Sequence, residues 1–189
     1  MAKRQKSERF VSRGGDKLDG ALIDFNLDVA NFVVADLGAN VGGFTDCLLQ
    51  CGVLRIYAVD TGYGVLDWKL RQDDCVVVME RTNALHVSLP ELVDLVVIDV
   101  AWTPLNRIVP RALSLLKEEG VMIALLKPQY EARDDERIKG VVKDTCVEEV
   151  VSRTISGLSK LGVKLRAQVP SHILGSGGNR ELFLLLDQR

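Results

Sequence analysis

Acidic residues end four successive apolar segments of this 189-residue chain, and a lysine ends a fifth. The residues at these positions are Asp36, Asp60, Glu80, Asp99 and Lys127. Open α/β sheets bind ligands at the carboxyl ends of their parallel strands, so these side chains are expected along one edge. Polar residues often end strands, but four acids in succession favour a ligand site. A carboxylate at the first of these ends would repel a pyrophosphate, so the edge suits a cationic or zwitterionic ligand.

A glycine-rich turn over residues 36–45 follows the first of these acids. Its glycines allow a tight turn and a close approach of the backbone to a ligand; they are Gly38, Gly42 and Gly43. A dinucleotide site would have the pattern GxGxxG, but Asn40 occupies the second glycine position, which disfavours a nicotinamide-dependent oxidoreductase. Asp60 can accept two hydrogen bonds from a ribose diol. With Asp36, it indicates S-adenosylmethionine, which carries a sulfonium, an amino acid and a ribose but no phosphate.

Two lysines and a further acid could join this edge. Lys127 ends an apolar strand, where a lysine either loses part of its hydration or extends its ammonium group to solvent. Asp99 ends the neighbouring strand and could hold that ammonium. Glu181 opens the last predicted strand, and Lys17 lies at the start of the first helix. Spacing alone does not bring Lys17 and Glu181 to the same site.

Apolar runs alternate with amphipathic segments along the chain. Strands are predicted over residues 32–35, 55–59, 75–79, 95–98, 121–126, 164–169 and 181–186, and helices over 44–50, 105–116 and 147–161. Segment 95–98 is apolar on both faces, as a central parallel strand must be. The alternation predicts a parallel sheet with helices on both faces, and the last two strands should pair antiparallel at one end. The polar segment 132–143 is predicted to be a mobile loop.

Composition excludes several classes of protein. With 47% hydrophobic residues, 26% charged residues and 5 prolines, the chain is neither disordered nor fibrous. No apolar run is long enough for a transmembrane helix, and no signal-peptide core follows the basic start, so a cytoplasmic protein without a membrane role is expected. The 4 cysteines form no CxxC pair and there are 2 histidines, which predicts reduced thiols and no metal site.

Charge is distributed unevenly along the chain. Residues 1–17 carry six basic and two acidic side chains, although the whole chain has a net charge of −2. We predict a basic N-terminal arm over 1–9 and a single domain over 10–189. The arm either contacts phosphates or is a solvated terminus.

Nine segments match one known family in the same order along the chain. They are residues 10–18, 36–45, 57–64, 68–71, 79–84, 98–100, 126–132, 140–144 and 178–181. On these segments the chain resembles the TlyA branch of the FtsJ-like RNA methyltransferases, also called haemolysin A-like proteins. The resemblance implies a Rossmann-like class I methyltransferase fold, with a seven-stranded sheet whose last strand is antiparallel. It also implies S-adenosylmethionine as cofactor and 2′-O-methylation of ribose in ribosomal RNA.

The resemblance assigns a role to individual residues. The family's catalytic tetrad matches Lys17, Asp99, Lys127 and Glu181, and its cofactor site matches Gly42, Phe44, Asp60, Asn83 and Asp99. The turn residues Asp36, Gly38, Asn40 and Gly43 complete the predicted cofactor site. Lys127 would either accept the proton of the ribose hydroxyl or stay charged and orient its oxygen. Asp99 and Glu181 would hold the lysines, and no metal is required.

Two features depart from the family pattern. Members of the branch carry an RNA-binding S4 domain ahead of the first matching segment, whereas this sequence starts nine residues before Phe10 and is expected to lack it. After Asp99 the family has a Ser-Phe-Ile-Ser-like run, where this chain has Ala101 to Leu105. Trp102 in that run either stacks on a base or packs under its loop. The expected partner is ribosomal RNA or a ribosomal subunit; the alternative is a non-catalytic cofactor-binding or ribosome-assembly protein.

Overall fold

The computed structural model describes residues 9–188, so the predicted basic arm lies outside the described residues except for Arg9. The helices are α1 (Arg13–Phe25), α2 (Gly43–Gln50), α3 (Trp68–Arg71), α4 (Leu105–Leu113), α5 (Pro128–Glu131) and α6 (Asp144–Ser159). The strands are β1 (Val33–Leu37), β2 (Arg55–Val59), β3 (Val76–Met79), β4 (Val93–Ile98), β5 (Leu116–Leu126), β6 (Arg137–Ile138), β7 (Val141–Val142), β8 (Val163–Pro170) and β9 (Leu182–Gln188). Two 3₁₀ turns cover Asp134–Glu136 and Ser176–Gly178.

Seven strands form one sheet in the order β3-β2-β1-β4-β5-β9-β8. The first five in this order are parallel, and β9 runs antiparallel to both β5 and β8. The predicted mostly parallel sheet with an antiparallel end is therefore confirmed. Strand β2 lies on one side of β1, and the chain later crosses over to place β4 on the other side of β1. Ligand crevices of open α/β sheets form at such a switch point.

Helices cover both faces of the sheet and pack against it through apolar side chains. Helices α1 and α2 supply buried side chains such as Leu18 and Leu48 to one face, and α4 and α6 supply Ile108 and Leu158 to the other. Strand β4 lies between these layers, and its last four residues are fully buried, as its apolar sequence predicts. Within residues 9–188, no helix has the length and apolar character needed to cross a membrane.

The differences from the sequence prediction are largest around the start of β5 and in the segment 132–143. Strand β5 begins at Leu116 rather than at 121, because Leu116 pairs with Val93 across a register shift and extends the parallel ladder. Helix α4 accordingly ends at Leu113. The polar segment 132–143, predicted as a loop, contains a 3₁₀ turn and the β6–β7 hairpin. Val142 is buried and anchors that hairpin. The sequence pattern did not predict the hairpin because most residues of the segment are polar or charged.

Phe183 gives a test of this core. It lies fully buried on β9 and packs against Phe44 of α2, with 6.0 Å between the ring centroids. Phe183→Ala is expected to lower the free energy of unfolding by about 3–5 kcal/mol, because it removes buried area and leaves a cavity. Urea unfolding measures the loss. The control Leu174→Ala, at a side chain 55% exposed, should change stability by less than about 0.5 kcal/mol. Equal stabilities of the two variants would contradict the assignment of Phe183 to the core.

Candidate active site

A cavity of about 380 Å³ opens at the carboxyl ends of β1, β2 and β4. Its lining includes the predicted residues Gly38, Asn40, Asp60, Asn83 and Asp99. The other wall consists mainly of residues that follow β4, among them Val100, Trp102 and Thr103. The size lies within the usual range of small-molecule sites. The cavity thus lies at the edge that the strand-ending acids predict.

Asp60 is held rigidly at the cavity wall. Its two carboxylate oxygens accept hydrogen bonds from the backbone N–H groups of Asn40 and Gly62, at 2.8 and 2.7 Å. Asn40 has a positive φ of 50°, which asparagine tolerates better than most residues, and this explains why the turn does not need a second glycine there. Because a carboxylate offers about four lone-pair sites, Asp60 can still accept two further hydrogen bonds from a ligand.

Asp36 lies behind the cavity and is fully buried. One of its oxygens accepts a hydrogen bond from the Thr45 hydroxyl at 2.7 Å, and the other has no partner among the described residues. Burial, together with the smaller effects of the charges on Asp99 and Asp60, raises the pKa of Asp36 to about 7, although the Thr45 hydrogen bonds act to lower it. Three carboxyl groups therefore act on one another at this edge, which favours a cationic ligand.

Gly38 allows the ends of β1 and β4 to meet. Its φ is +97°, and a Cβ at this position would lie 2.6 Å from the backbone oxygen of Asp99. Any side chain would therefore displace Asp99 from the cavity wall. Asn83 stands across the cavity, where its Oδ1 accepts the N–H of Leu85 at 2.9 Å. The amide N–H groups of Asn83 remain available as donors to a ligand.

Three predicted turn residues do not line the cavity but pack the helices around it. A Cβ on Gly42 would collide with Leu70 of α3, and one on Gly43 would collide with Ser12, the N-cap of α1. Phe44 is buried against Phe183. Close packing of α1, α2 and α3 explains why these three residues occupy their positions. The predicted contacts of Gly42, Gly43, Phe44 and Asp36 with a cofactor stay predictions.

The four predicted catalytic residues form two ion pairs. The Lys127 Nζ lies 2.5 Å from the Asp99 Oδ1 and donates to the backbone oxygen of Val100 at 3.1 Å. The Lys17 Nζ, from α1, lies 2.6 Å from the Glu181 Oε2, 164 residues further along the chain. All four side chains are largely buried, with exposed fractions between 3% and 27%. Tertiary structure thus joins residues that spacing alone could not.

The two ion pairs form one electrostatic cluster. Burial raises the pKa of Asp99, while the positive charges of Lys127 and Lys17 act to lower it and Glu181 acts to raise it. Asp99 therefore interacts with every other member of the tetrad. Both ammonium groups are partly shielded from water, where electrostatic interactions are stronger than in bulk solvent.

Glu80, the fourth strand-ending acid, has a different role from the one its position suggested. It is absent from the cavity lining and accepts hydrogen bonds from the N–H groups of Gly64 and Val65, at 2.9 and 3.0 Å, and forms an ion pair with Arg71. The bond from Gly64 is the largest of the effects that lower the pKa of Glu80. Glu80 thus fixes the loop between β2 and α3.

The short segment after β5 contains site residues that the sequence reasoning missed. Gln129 donates to the Glu181 Oε1 at 3.3 Å, and Glu131 accepts the N–H of Leu105 at 2.7 Å, which fixes the start of α4. Tyr130 packs against Trp102, with 5.1 Å between the ring centroids. Trp102 is 82% exposed at the cavity rim. A run of polar and aromatic residues directly after a buried strand is the signal that could have found them.

The strand order and the antiparallel β9 define the Rossmann-like fold of class I methyltransferases. Solved structures of several distant methyltransferases share this fold, with TM-scores of 0.63–0.66 at 14–16% sequence identity. The FtsJ-like methyltransferase family matches residues 10–188. The chain belongs to that family.

Individual relatives agree with this assignment. YqxC of Bacillus subtilis is 42% identical over 184 residues, which cover 94% of this chain and 66% of YqxC. The 16S/23S rRNA (cytidine-2′-O)-methyltransferase TlyA of Mycobacterium tuberculosis is 40% identical over 190 residues, which cover 95% of this chain and 69% of TlyA. A solved structure from Streptococcus thermophilus has a TM-score of 0.93 at 38% identity, covering 97% of this chain and 69% of the other. The chain thus spans about two thirds of the length of these relatives.

Asp36→Asn is expected to change how stability depends on pH. The folded protein keeps this carboxyl protonated up to about pH 7, whereas the unfolded chain ionises it near its ordinary pKa of 3.8. The folded state therefore binds one more proton between these values, and stability falls as the pH rises through this range, by at most about 1.4 kcal/mol per pH unit. Urea unfolding of both proteins between about pH 5 and 8 measures the two slopes. The variant should lack this contribution; identical slopes would contradict it.

Proposed function

We propose that the chain transfers a methyl group from S-adenosylmethionine to a ribose 2′-hydroxyl of ribosomal RNA. The observation that carries this proposal is the pair of buried ion pairs, Lys17–Glu181 and Lys127–Asp99, of which Asp99 lines the cavity. A ribose hydroxyl is a weak nucleophile, and two positioned ammonium groups can fix its oxygen in line with an electrophile.

The cavity suits S-adenosylmethionine in three respects. Asp60, fixed by two backbone bonds, can accept the ribose diol, and Asn83 can donate to the edge of a base. The Asp99 carboxylate in the cavity lining favours a ligand with a positive charge, and the unpartnered oxygen of Asp36 supplies an acceptor behind the cavity wall. When bound, this cofactor supplies a methyl group on a positively charged sulfur that leaves as a neutral thioether.

The contacts of Lys127 support a charged, orienting role over that of a base. Its ammonium has three N–H donors, of which two have acceptors in Asp99 and the backbone oxygen of Val100. The third can hold the ribose oxygen while that oxygen forms its bond to the methyl carbon and the carbon–sulfur bond breaks. The hydroxyl proton becomes acidic as the new bond forms and passes to water. Lys17, held by Glu181, adds a second positive charge beside this oxygen.

Trp102 supports a nucleic-acid substrate. Its ring is 82% exposed at the cavity rim and rests on Tyr130, whose ring centroid is 5.7 Å from the Lys127 Nζ. Exposed aromatic rings bind unstacked bases with little sequence preference. We infer that the base of the target nucleotide stacks on Trp102 while its ribose reaches Lys127.

The relatives support ribosomal RNA as the substrate class, since the similar Mycobacterium protein is named for 16S and 23S rRNA. In this proposal residues 10–189 act as one catalytic domain, and the protein works in the cytoplasm, on ribosomal RNA or ribosomal subunits. The basic arm over 1–9 would add a phosphate contact that weakens as the salt concentration rises.

Lys127→Ala tests the proposed reaction. The variant is expected to lose methyl transfer by at least about 100-fold, because the ribose oxygen loses its donor, and to retain cofactor binding. The measurement is transfer of a labelled methyl group to ribosomal subunits and naked rRNA, followed by nuclease digestion to locate the label on ribose. Calorimetry measures cofactor affinity in parallel.

Two matched variants sharpen this test. Asp60→Ala should lose cofactor affinity, since it removes the acceptors for the ribose diol, whereas Lys164→Ala, at an exposed lysine of β8, should behave as the wild type. Full activity of Lys127→Ala would overturn the proposed catalytic role. Label on a base rather than on ribose would overturn the proposed substrate position.

Trp102→Ala tests the proposed base contact. Loss of a stacked base costs about 1–3 kcal/mol, so the KM for RNA should rise by about 5- to 150-fold while cofactor affinity stays unchanged. Trp102→Phe should retain most of the RNA affinity because it keeps an aromatic face. The matched control is Trp68→Ala, at a tryptophan that is 72% exposed but absent from the cavity lining. An unchanged KM in Trp102→Ala would refute stacking on this ring.

A further inference from the structure

Glu181 carries its carboxylate in a nearly closed environment. The residue is 4% exposed, and its two oxygens have different partners. The Lys17 ammonium lies 2.6 Å from Oε2, and the Gln129 side-chain amide donates to Oε1 at 3.3 Å. A buried carboxylate depends on such partners because it has lost its hydration. Glu181 therefore faces Lys17 with one oxygen only while Gln129 holds the other.

The side chain of Gln129 donates to Glu181 but has no partner for its own acceptor oxygen. The residue is 7% exposed, and its side-chain Oε1 has no hydrogen-bond partner among the described residues. The opposite orientation of the amide would turn this oxygen toward the Glu181 carboxylate and repel it. The orientation of the amide is therefore set by Glu181. Its backbone is fixed as well, because the backbone oxygen of Gln129 accepts the Arg137 Nη1 at 3.0 Å.

The space around the same carboxylate oxygen is closed. A Cβ on Gly175 would collide with the Glu181 Oε1, so the backbone of the β8–β9 connection lies directly against this group. Gln129 follows Lys127 by two residues on the segment that leaves β5. One short segment thus contacts both ion pairs: Lys127 contacts Asp99, and Gln129 contacts Glu181.

We infer that Gln129 is a positioning residue that couples the two ion pairs of the site, an inference that rests on the proposed methyl transfer. It holds the Glu181 carboxylate so that Lys17 is fixed relative to Lys127, although Gln129 itself need not touch the substrate. Without the Gln129 N–H donor, the Glu181 Oε1 loses its hydrogen bond. The Glu181 carboxylate is then free to turn away from Lys17. The rate of the chemical step then falls, while the cofactor cavity, which Gln129 does not line, keeps its shape.

Gln129→Met and Gln129→Glu test this role in the methyl-transfer assay. The methionine variant has nearly the same shape without the donor, and kcat should fall about 10- to 100-fold with an unchanged KM for the cofactor. In Gln129→Glu the introduced carboxyl, when protonated, can donate to Glu181 as the amide does; when ionised, it repels Glu181. Its kcat relative to wild type should therefore be highest at acidic pH and fall as the pH rises. Gln72→Met, at an exposed position, is the control.

A second measurement does not depend on activity. Thermal unfolding of Gln129→Met, Glu181→Ala and the double variant forms a double-mutant cycle. Gln129→Met should lower Tm by about 3–10 °C alone and by much less when Glu181 is already removed. If Glu181→Ala does not fold, Glu181→Gln takes its place and should reduce the effect by about half, because it replaces a charged acceptor with a neutral one.

The two measurements separate the possible failures. Wild-type protein that transfers no methyl group to any ribosomal RNA refutes the proposed function, and the cycle then decides the Gln129–Glu181 coupling by itself. Additive losses in Tm overturn the inference. With an active wild type, a kcat of Gln129→Met within twofold of wild type, or a Gln129→Glu pH profile parallel to wild type, overturns it as well.

Discussion

The ion pair between Lys127 and Asp99 is the contact on which the architecture of the site depends. Both residues follow the last residues of adjacent parallel strands, β5 and β4, so the sheet itself brings the two charges together. On the other side of β4, Gly38 directly after β1 leaves room for the backbone of Asp99, so that the ends of β1 and β4 can meet. A largely buried charge with no partner would be strongly destabilising. Each member of the pair therefore requires the other, and both require the sheet register.

The segment after β5 extends this constraint to the rest of the site. Within five residues it holds the end of β4 through Lys127, the start of β9 through Gln129 and the start of α4 through Glu131. Tyr130 of the same segment supports the exposed Trp102. One short element thus contacts three separate parts of the fold next to the cavity. The Lys17–Glu181 ion pair also joins α1 to the start of β9, so residues far apart along the chain meet at this site.

The acids that end successive strands were predictable as a group, but their separate roles were not. Asp60 and Asp99 line the cavity, Asp36 is buried behind it, and Glu80 faces a loop and Arg71. A strand end indicates which edge a residue occupies, whereas its neighbours in space decide whether its side chain meets solvent, a backbone amide or a ligand. The extra length of β5 was not predictable for the same reason. Leu116 joins the sheet by pairing with Val93 of β4, and the local sequence pattern does not show such a partner.

The sequence by itself determined the layers, the strand directions and the edge that carries the charged residues, because apolar periodicity and strand-ending charges are local properties. It also provided enough matching segments to indicate the family. Tertiary structure alone decided that Lys17 pairs with Glu181 across 164 positions and that Gln129 completes the environment of that glutamate. These contacts depend on how α1, α5 and β9 pack against one sheet. Burial then selects each partner, because a charged or polar group removed from water must find its hydrogen bonds within the protein.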